Sequence, residues 1–160
     1  GFKDYVDGNA GFCGDRRVSS GSGTGTNPTD YQPYTRISNS SPSLSCETAD
    51  IYTVDEFEHG NGALTYPIGL ISADEAMFAG IPNGNSSNSN NYLYTGQTYW
   101  TMSPSYYDYG YAGMFFVGDL GSLSEYVVTN TWGVRPVINL KSAIAISGSG
   151  TTSDPFVVVS

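Results

Sequence analysis

Between Tyr92 and Leu140 the sequence alternates between two kinds of residue, and the alternation limits what the chain can fold into. One kind is apolar and shape-defining: Trp100, Met102, the run AGMFFV at 112–117, Val127-Val128, and the segment WGVRPVI at 132–138. The other fills the gaps with Tyr, Ser, Asp, Asn and Thr: SYYDYGY at 105–111, Ser122, Ser124-Glu125-Tyr126 and Thr129-Asn130-Thr131. Short apolar runs rich in aromatic and β-branched residues, bounded by Gly, Pro, Asp and Asn, read as strands. Four are expected, at Tyr99–Met102, Ala112–Gly118, Leu123–Thr129 and Gly133–Leu140. Pro136 marks a bulge or an edge in the last of them. The polar filler has the composition of antibody contact surfaces, where Tyr supplies rigid area and Ser, Asn and Gly supply adaptable hydrogen bonds. Successive strand residues point to opposite faces, so Tyr106, Tyr107 and Tyr109 cannot all turn inward. A binding surface is the leading reading, and edge tyrosines that shield the sheet are the alternative.

Upstream, Tyr66–Ile71 reads as a buried strand leading into Ser72-Ala73-Asp74-Glu75, a capping box. Ala76, Met77, Phe78 and Ala79 continue the helix, which Gly80 and Pro82 stop. Met77 and Phe78 are expected in the core. The run NGNSSNSNN at 83–91 has no apolar anchor and is expected to be a mobile loop. Residues 141–160 pair AIAI at 143–146 with FVVV at 156–159 as a closing hairpin. Residues 1–46 read as a loop-rich N-terminal part, 47–140 as the core with the Tyr-rich stretch at 99–132, and the whole of 1–160 as one α+β domain. That fold has mostly short antiparallel strands and loops with one or two short helices. With its abrupt opening at Gly1-Phe2-Lys3 and no signal-peptide, transmembrane or lipidation pattern, the sequence is expected to be a piece of a longer surface protein. The parent chain would supply the anchor.

Charged residues make up only 13% of the chain against roughly 25% in an average domain. The formal charge of −9 argues against nucleic acid and against an anionic membrane, both of which need a basic footprint. No membrane insertion is expected, and protein, glycan or small polar ligands stay open. Cys13 and Cys46, the two cysteines, read as an extracytoplasmic disulfide, the alternative being two buried thiols. They cannot close a four-ligand zinc site.

Catalytic signals are weak. Glu56, Glu58 and His59 are the best candidates in the acidic segment, but no nucleophile partners the lone His59. A carboxylate-pair glycosidase stays formally open. GSGTGT at 21–26 lacks the preceding strand and following Lys of a phosphate-cradling loop. Asp15-Arg16-Arg17 reads as a fold-locking ion pair. Asn39-Ser40-Ser41 and Asn85-Ser86-Ser87 match the N-glycosylation pattern, relevant only in a eukaryotic secretory host.

The capped helix, the Trp100–Pro104 strand with its Ser103-Pro104 turn, and the Gly133-Val134-Arg135-Pro136 ending together resemble a known group. They are similar to the C-type-lectin-like domains of bacterial and phage surface proteins. That superfamily includes the formylglycine-generating enzyme and the variable proteins of diversity-generating retroelements. The resemblance spans most of 45–140. It implies a C-type-lectin-like fold, a ligand-binding or adhesion role, and a place on a bacterial cell surface or phage particle. In diversified members adenine mutagenesis scatters Asn, Tyr, Ser, Asp and Thr over surface positions. Carried onto this chain, the contact residues would be Tyr106, Tyr107, Asp108, Tyr109, Tyr111, Ser122, Ser124, Tyr126, Asn130 and Thr131. Trp100, Ala112, Met114, Phe116, Trp132 and Arg135 would be framework. Two departures stand out. Framework-like sequence continues to Ser160, whereas the diversified stretch of many variable proteins sits nearer the chain end. The late cysteine pair that holds copper in the enzymatic relatives is also absent, so formylglycine-type oxidation is not expected, and with the weak catalytic signals above the chain is not read as an enzyme. A calcium site of the lectin kind would be drawn from Asp108, Asp119, Glu125 and Asn130, whose spacing matches no ligand signature. No cofactor is expected beyond that calcium.

Overall fold

The structure, a computed structural model, describes residues 4–55, 59–151 and 153–159. Its architecture is α+β: short, mostly antiparallel strands with two short helices. The centre is a sheet built on one long strand, β5 (Tyr99–Asp108). One edge of β5 pairs antiparallel with β6 (Tyr111–Val117), which pairs with β7 (Leu123–Val127). The other edge is shared. β3 (Thr29–Tyr31), itself paired with β2 (Val18–Gly21), takes the Tyr106–Tyr107 end, and β8 (Gly133–Val134) runs parallel beside Tyr99 and Trp100.

Helices α1 (Gln32–Ser38) and α2 (Ala73–Phe78) cover one face of this sheet. Between them and the sheet lie Ile37, Ala73, Ala76, Ile81, Leu93, Tyr99, Phe115, Val117 and Leu123, all buried. The alternation of β5 delivers Tyr99, Thr101, Ser103 and Ser105 to this core and leaves Trp100, Met102 and Pro104 on the opposite face. Core-facing hydroxyls need partners. Thr101 Oγ1 donates to the Phe115 carbonyl at 2.9 Å, and Ser103 Oγ accepts from the Ala73 amide at 2.9 Å.

Helix α2 starts with the capping box. Ser72 Oγ accepts from the Glu75 amide, and Glu75 Oε2 accepts from the Ser72 amide. Met77 is partly buried against the core, whereas Phe78 turns out to solvent. The box fixes where the helix starts, but a helix of six residues presents only one narrow stripe inward, which Ala73 and Ala76 fill.

Four other expectations are corrected. The N-terminal part is not merely loop-rich: it supplies β2, β3 and α1, and through them a flank of the sheet. Ser103-Pro104 is no turn but the interior of β5, where the register against β6 shifts on both sides of Pro104. A bulge is where a strand tolerates a residue without an N–H. Tyr66–Ile71 does not form a strand; only Gly69 makes a bridge, to Val137, and Tyr66 and Ile68 are exposed. The Asn-rich loop is tied down by amides rather than apolar anchors. Asn88 Nδ2 donates to the Gly80 carbonyl and Asn91 Nδ2 to the Ala79 carbonyl, occupying acceptors at the end of α2.

The expected last strand shrinks to β8, since only Val137 and Leu140 beyond it make isolated bridges. Arg135 nevertheless straps this segment down. Its Nη1 donates to the Leu93 carbonyl at 2.9 Å, and its guanidinium lies over the Tyr99 ring at 5.6 Å. The closing hairpin is present as β9 (Ile146–Ser147) paired with β10 (Val157–Val158).

The Cys13–Cys46 disulfide is formed, with Cα atoms 6.0 Å apart, and it joins the start of the β2-β3-α1 segment to its end. Beside it β1 (Phe12–Cys13) pairs with β4 (Ile51–Tyr52). The Asp15-Arg16-Arg17 motif is an ion-pair lock. Arg17 and Arg36 both donate to Asp15, Arg36 also grips Asp74 through two 2.7 Å bonds, and Arg16 holds Asp50. Burial alone would raise the Asp15 carboxyl, but the hydrogen bonds from Arg17 and Arg36 hold it below the usual carboxylate range. Among the described residues no helix is long and apolar enough to cross a membrane.

Candidate functional site

The Tyr-rich run is the β5–β6 hairpin. Asp108 pairs with Tyr111, so the loop is two residues, Tyr109-Gly110. Two-residue hairpins favour turns with φ > 0 at both central positions, normally Asn-Gly or Asp-Gly. Here φ is 43° at Tyr109 and 90° at Gly110. A tyrosine thus stands where a small polar residue is the cheaper choice, and its side chain is 78% exposed.

The register sorts the remaining residues between the two faces. Tyr107 pairs with Ala112, and Met114 with Tyr126, which places Tyr107 and Tyr126 on the face opposite the helices. Ser124, paired with Phe116, shares that face. There Tyr126 meets an aromatic cluster: its ring lies 5.8 Å from Trp132, which lies 4.5 Å from Trp100 and 4.4 Å from Phe116. Trp132 follows Asn130 and Thr131 directly, so those two border the same cluster. The expected framework residues Trp100, Phe116 and Trp132 are only half-buried, and they extend the tyrosine surface rather than merely supporting it. The sequence signal for this is the i, i+2 placement of Met114 and Phe116, which the register sets opposite Pro104 and Trp100.

Tyr106 goes the other way. It pairs with Gly113, which shares the helix-covered face with Phe115. A side chain on Gly113 would collide with the Tyr106 ring, its Cβ falling 2.4 Å from Cε1. The bare glycine therefore lets that ring lie across β6 toward Glu125 on β7. With Asp30, directly opposite Tyr106 on β3, with Tyr34 of α1, and with Pro28, Tyr107 and Asp108, these residues line a cleft of about 260 Å³. Burial first, and then the charges of Glu125 and Asp108, push the Tyr106 phenol above its ordinary pKa, so it stays protonated and able to donate.

The ten expected contact residues thus fall into separate places. Ser124, Tyr126, Asn130 and Thr131 gather on or beside the aromatic face, Tyr109 stands at the hairpin tip, and Tyr107, though on the face opposite the helices, reaches the edge of the cleft. Tyr106 and Asp108 line the cleft, whose side Tyr111 shares by register. Ser122 is corrected: it is 6% exposed, folded into the β6–β7 turn where its carbonyl accepts from the Gly118 amide, and unavailable as a surface contact. Neither a family model, nor a curated protein, nor a solved structure matches this chain.

The residues of the would-be calcium site do not assemble. Asp108 and Glu125 meet in the cleft, while exposed Asp119 lies beyond the far end of β6, about 20 Å along the strand. No three of the described His, Cys, Asp or Glu residues are grouped to hold a metal. His59 is exposed. Glu56 and Glu58, the other catalytic candidates, lie outside the described residues.

Proposed function

We propose that this domain is a non-catalytic binding module with a C-type-lectin-like framework, presenting a Tyr/Ser/Asn-rich surface to a protein or glycan ligand. In this reading it belongs to a surface protein of a bacterium or phage, and its parent chain anchors it. The observation that carries the reading is the hairpin tip. A large aromatic side chain is held in a left-handed conformation and almost wholly exposed, a choice that burdens folding and benefits nothing inside the protein. Tyr111 and Tyr126 add exposed aromatic area, and the half-buried Trp100–Phe116–Trp132 cluster carries the aromatic face on toward the other end of the sheet. A mixture of rigid aromatic anchors with Ser, Asn and Thr is suited to contact.

The test is a glycan and protein-ectodomain binding screen run on the unmodified domain beside Tyr107→Ala/Tyr109→Ala. The expected result is binding that disappears in the double variant at an unchanged melting temperature. A double variant that keeps full binding, or an unmodified domain that binds nothing on either array, removes the reading. A purely structural module packed against its parent chain then takes its place.

A further inference from the structure

We propose that the cleft between α1, β3 and the β5–β6–β7 end of the sheet is a receptor for an arginine side chain of a protein ligand. The inference rests on the binding reading above and narrows it to a ligand with an exposed guanidinium.

Three carboxylates line the cleft: Asp30, Asp108 and Glu125. None forms an ion pair with a described cation. Arg16, Arg17 and Arg36 are committed to Asp15, Asp50 and Asp74, Arg135 to the Leu93 carbonyl, and Lys141 to the Asp4 carbonyl. Among the described residues no cation is left over for these groups, which keeps the cleft negative in a chain of net charge −9. Oδ1 of Asp108 is buried and accepts no hydrogen bond from the described residues, so this carboxylate is under-satisfied within the fold. Asp30, by contrast, already accepts from Ser20 Oγ at 2.8 Å through Oδ2.

The walls decide which cation fits. The carboxylates are not gathered closely enough to hold a metal ion. They are spread around the rings of Tyr34 and Tyr106, which suits a planar, delocalised cation that stacks on aromatic faces while its N–H groups fork to separate acceptors. At about 260 Å³ the cleft is smaller than the ~300–1,000 Å³ typical of small-molecule sites, and matches a single inserted side chain better than a free ligand. The site is also preorganised: Tyr106 is fixed over Gly113, and Asp30 is fixed by its ladder position on β3.

The experiment titrates the ¹⁵N-labelled domain with Nα-acetyl-arginine amide, with its uncharged isostere Nα-acetyl-citrulline amide, and with the lysine analogue. Saturable shifts are expected at the amides of Tyr106, Asp108 and Glu125 with the arginine probe, weaker shifts with lysine and none with citrulline. Asp108→Asn/Glu125→Gln, which keeps shape while removing two charges, should weaken the arginine response at least tenfold. Equal responses to arginine and citrulline, or arginine shifts located elsewhere, overturn the assignment. The failure is separable from that of the binding reading. A ligand found in the screen that binds the Asp108→Asn/Glu125→Gln variant at full strength, yet is lost with Tyr107→Ala/Tyr109→Ala, sinks the arginine cleft and leaves the module a binder.

Discussion

Left-handed backbone costs an L-residue with a Cβ about 1–2 kcal/mol, and Asn tolerates it best because its side chain bonds locally. Tyr109, with φ of 43°, carries that cost at the tip of the hairpin. Tyr109→Asn is therefore expected to raise stability by roughly 0.5–1 kcal/mol in urea unfolding while weakening ligand binding. A variant that is neither more stable nor a poorer binder would show that the tip serves no ligand. Arg36 is the opposite kind of residue. It holds two carboxylates that are almost wholly buried, so Arg36→Met should destabilise by about 3–5 kcal/mol near neutral pH. Asp15, with its pKa lowered in the fold, contributes stability that is present above its unfolded value of about 3.9 and is lost as pH falls through the folded value. The difference between variant and parent should accordingly shrink below about pH 4, where protonated carboxyls no longer require the cation. A gap that stays constant down that range in pH-dependent unfolding would contradict the ion-pair account.

At the level of elements, β6 depends on Gly113 being bare. Gly113→Ala places a methyl inside the Tyr106 ring, which has to leave its place over β6 to admit it. A loss of about 1–3 kcal/mol is expected, with Tyr106 ring resonances displaced in NMR spectra. The elements differ in how far the sequence announces them, and the reason is range. The α2 start was legible because a capping box is complete within four residues. Strands β6 and β7 were legible because alternation is local. Helix α1 was not foreseen: no side chain caps it and its buried face is little more than Pro33 and Ile37, so the only local trace is the proline in its first turn. Pro104 was mistaken for a turn because a bulge is defined by the partner strand, which a single segment does not display. Among the candidate contacts, exposure at Tyr109, Tyr111 and Tyr126 followed from composition and period. The division between two faces did not, because it depends on the same bulge.

For the whole molecule the disulfide is the largest single constraint. It spans 33 positions and closes a loop that contains β2, β3 and α1, so it attaches one flank of the sheet and a core helix to the rest. Cys13→Ser/Cys46→Ser should lower stability by about 3–4 kcal/mol on chain-entropy reasoning. Calorimetry or urea unfolding under reducing and oxidising conditions reads this directly; an unchanged midpoint would mean that the flank holds by packing alone.

Tyr106 and Tyr107 are joined by one peptide bond, and strand alternation sends them to opposite sides of the sheet, the bulge at Pro104 deciding that Tyr106 is the one on the helix side. Both side chains nevertheless line the same cleft, so adjacent codons address one recess from two faces of the sheet. Changes at the two positions should therefore couple in a double-mutant cycle of binding to a ligand seated there, and a lineage that rewrites one residue reshapes the wall its neighbour presents.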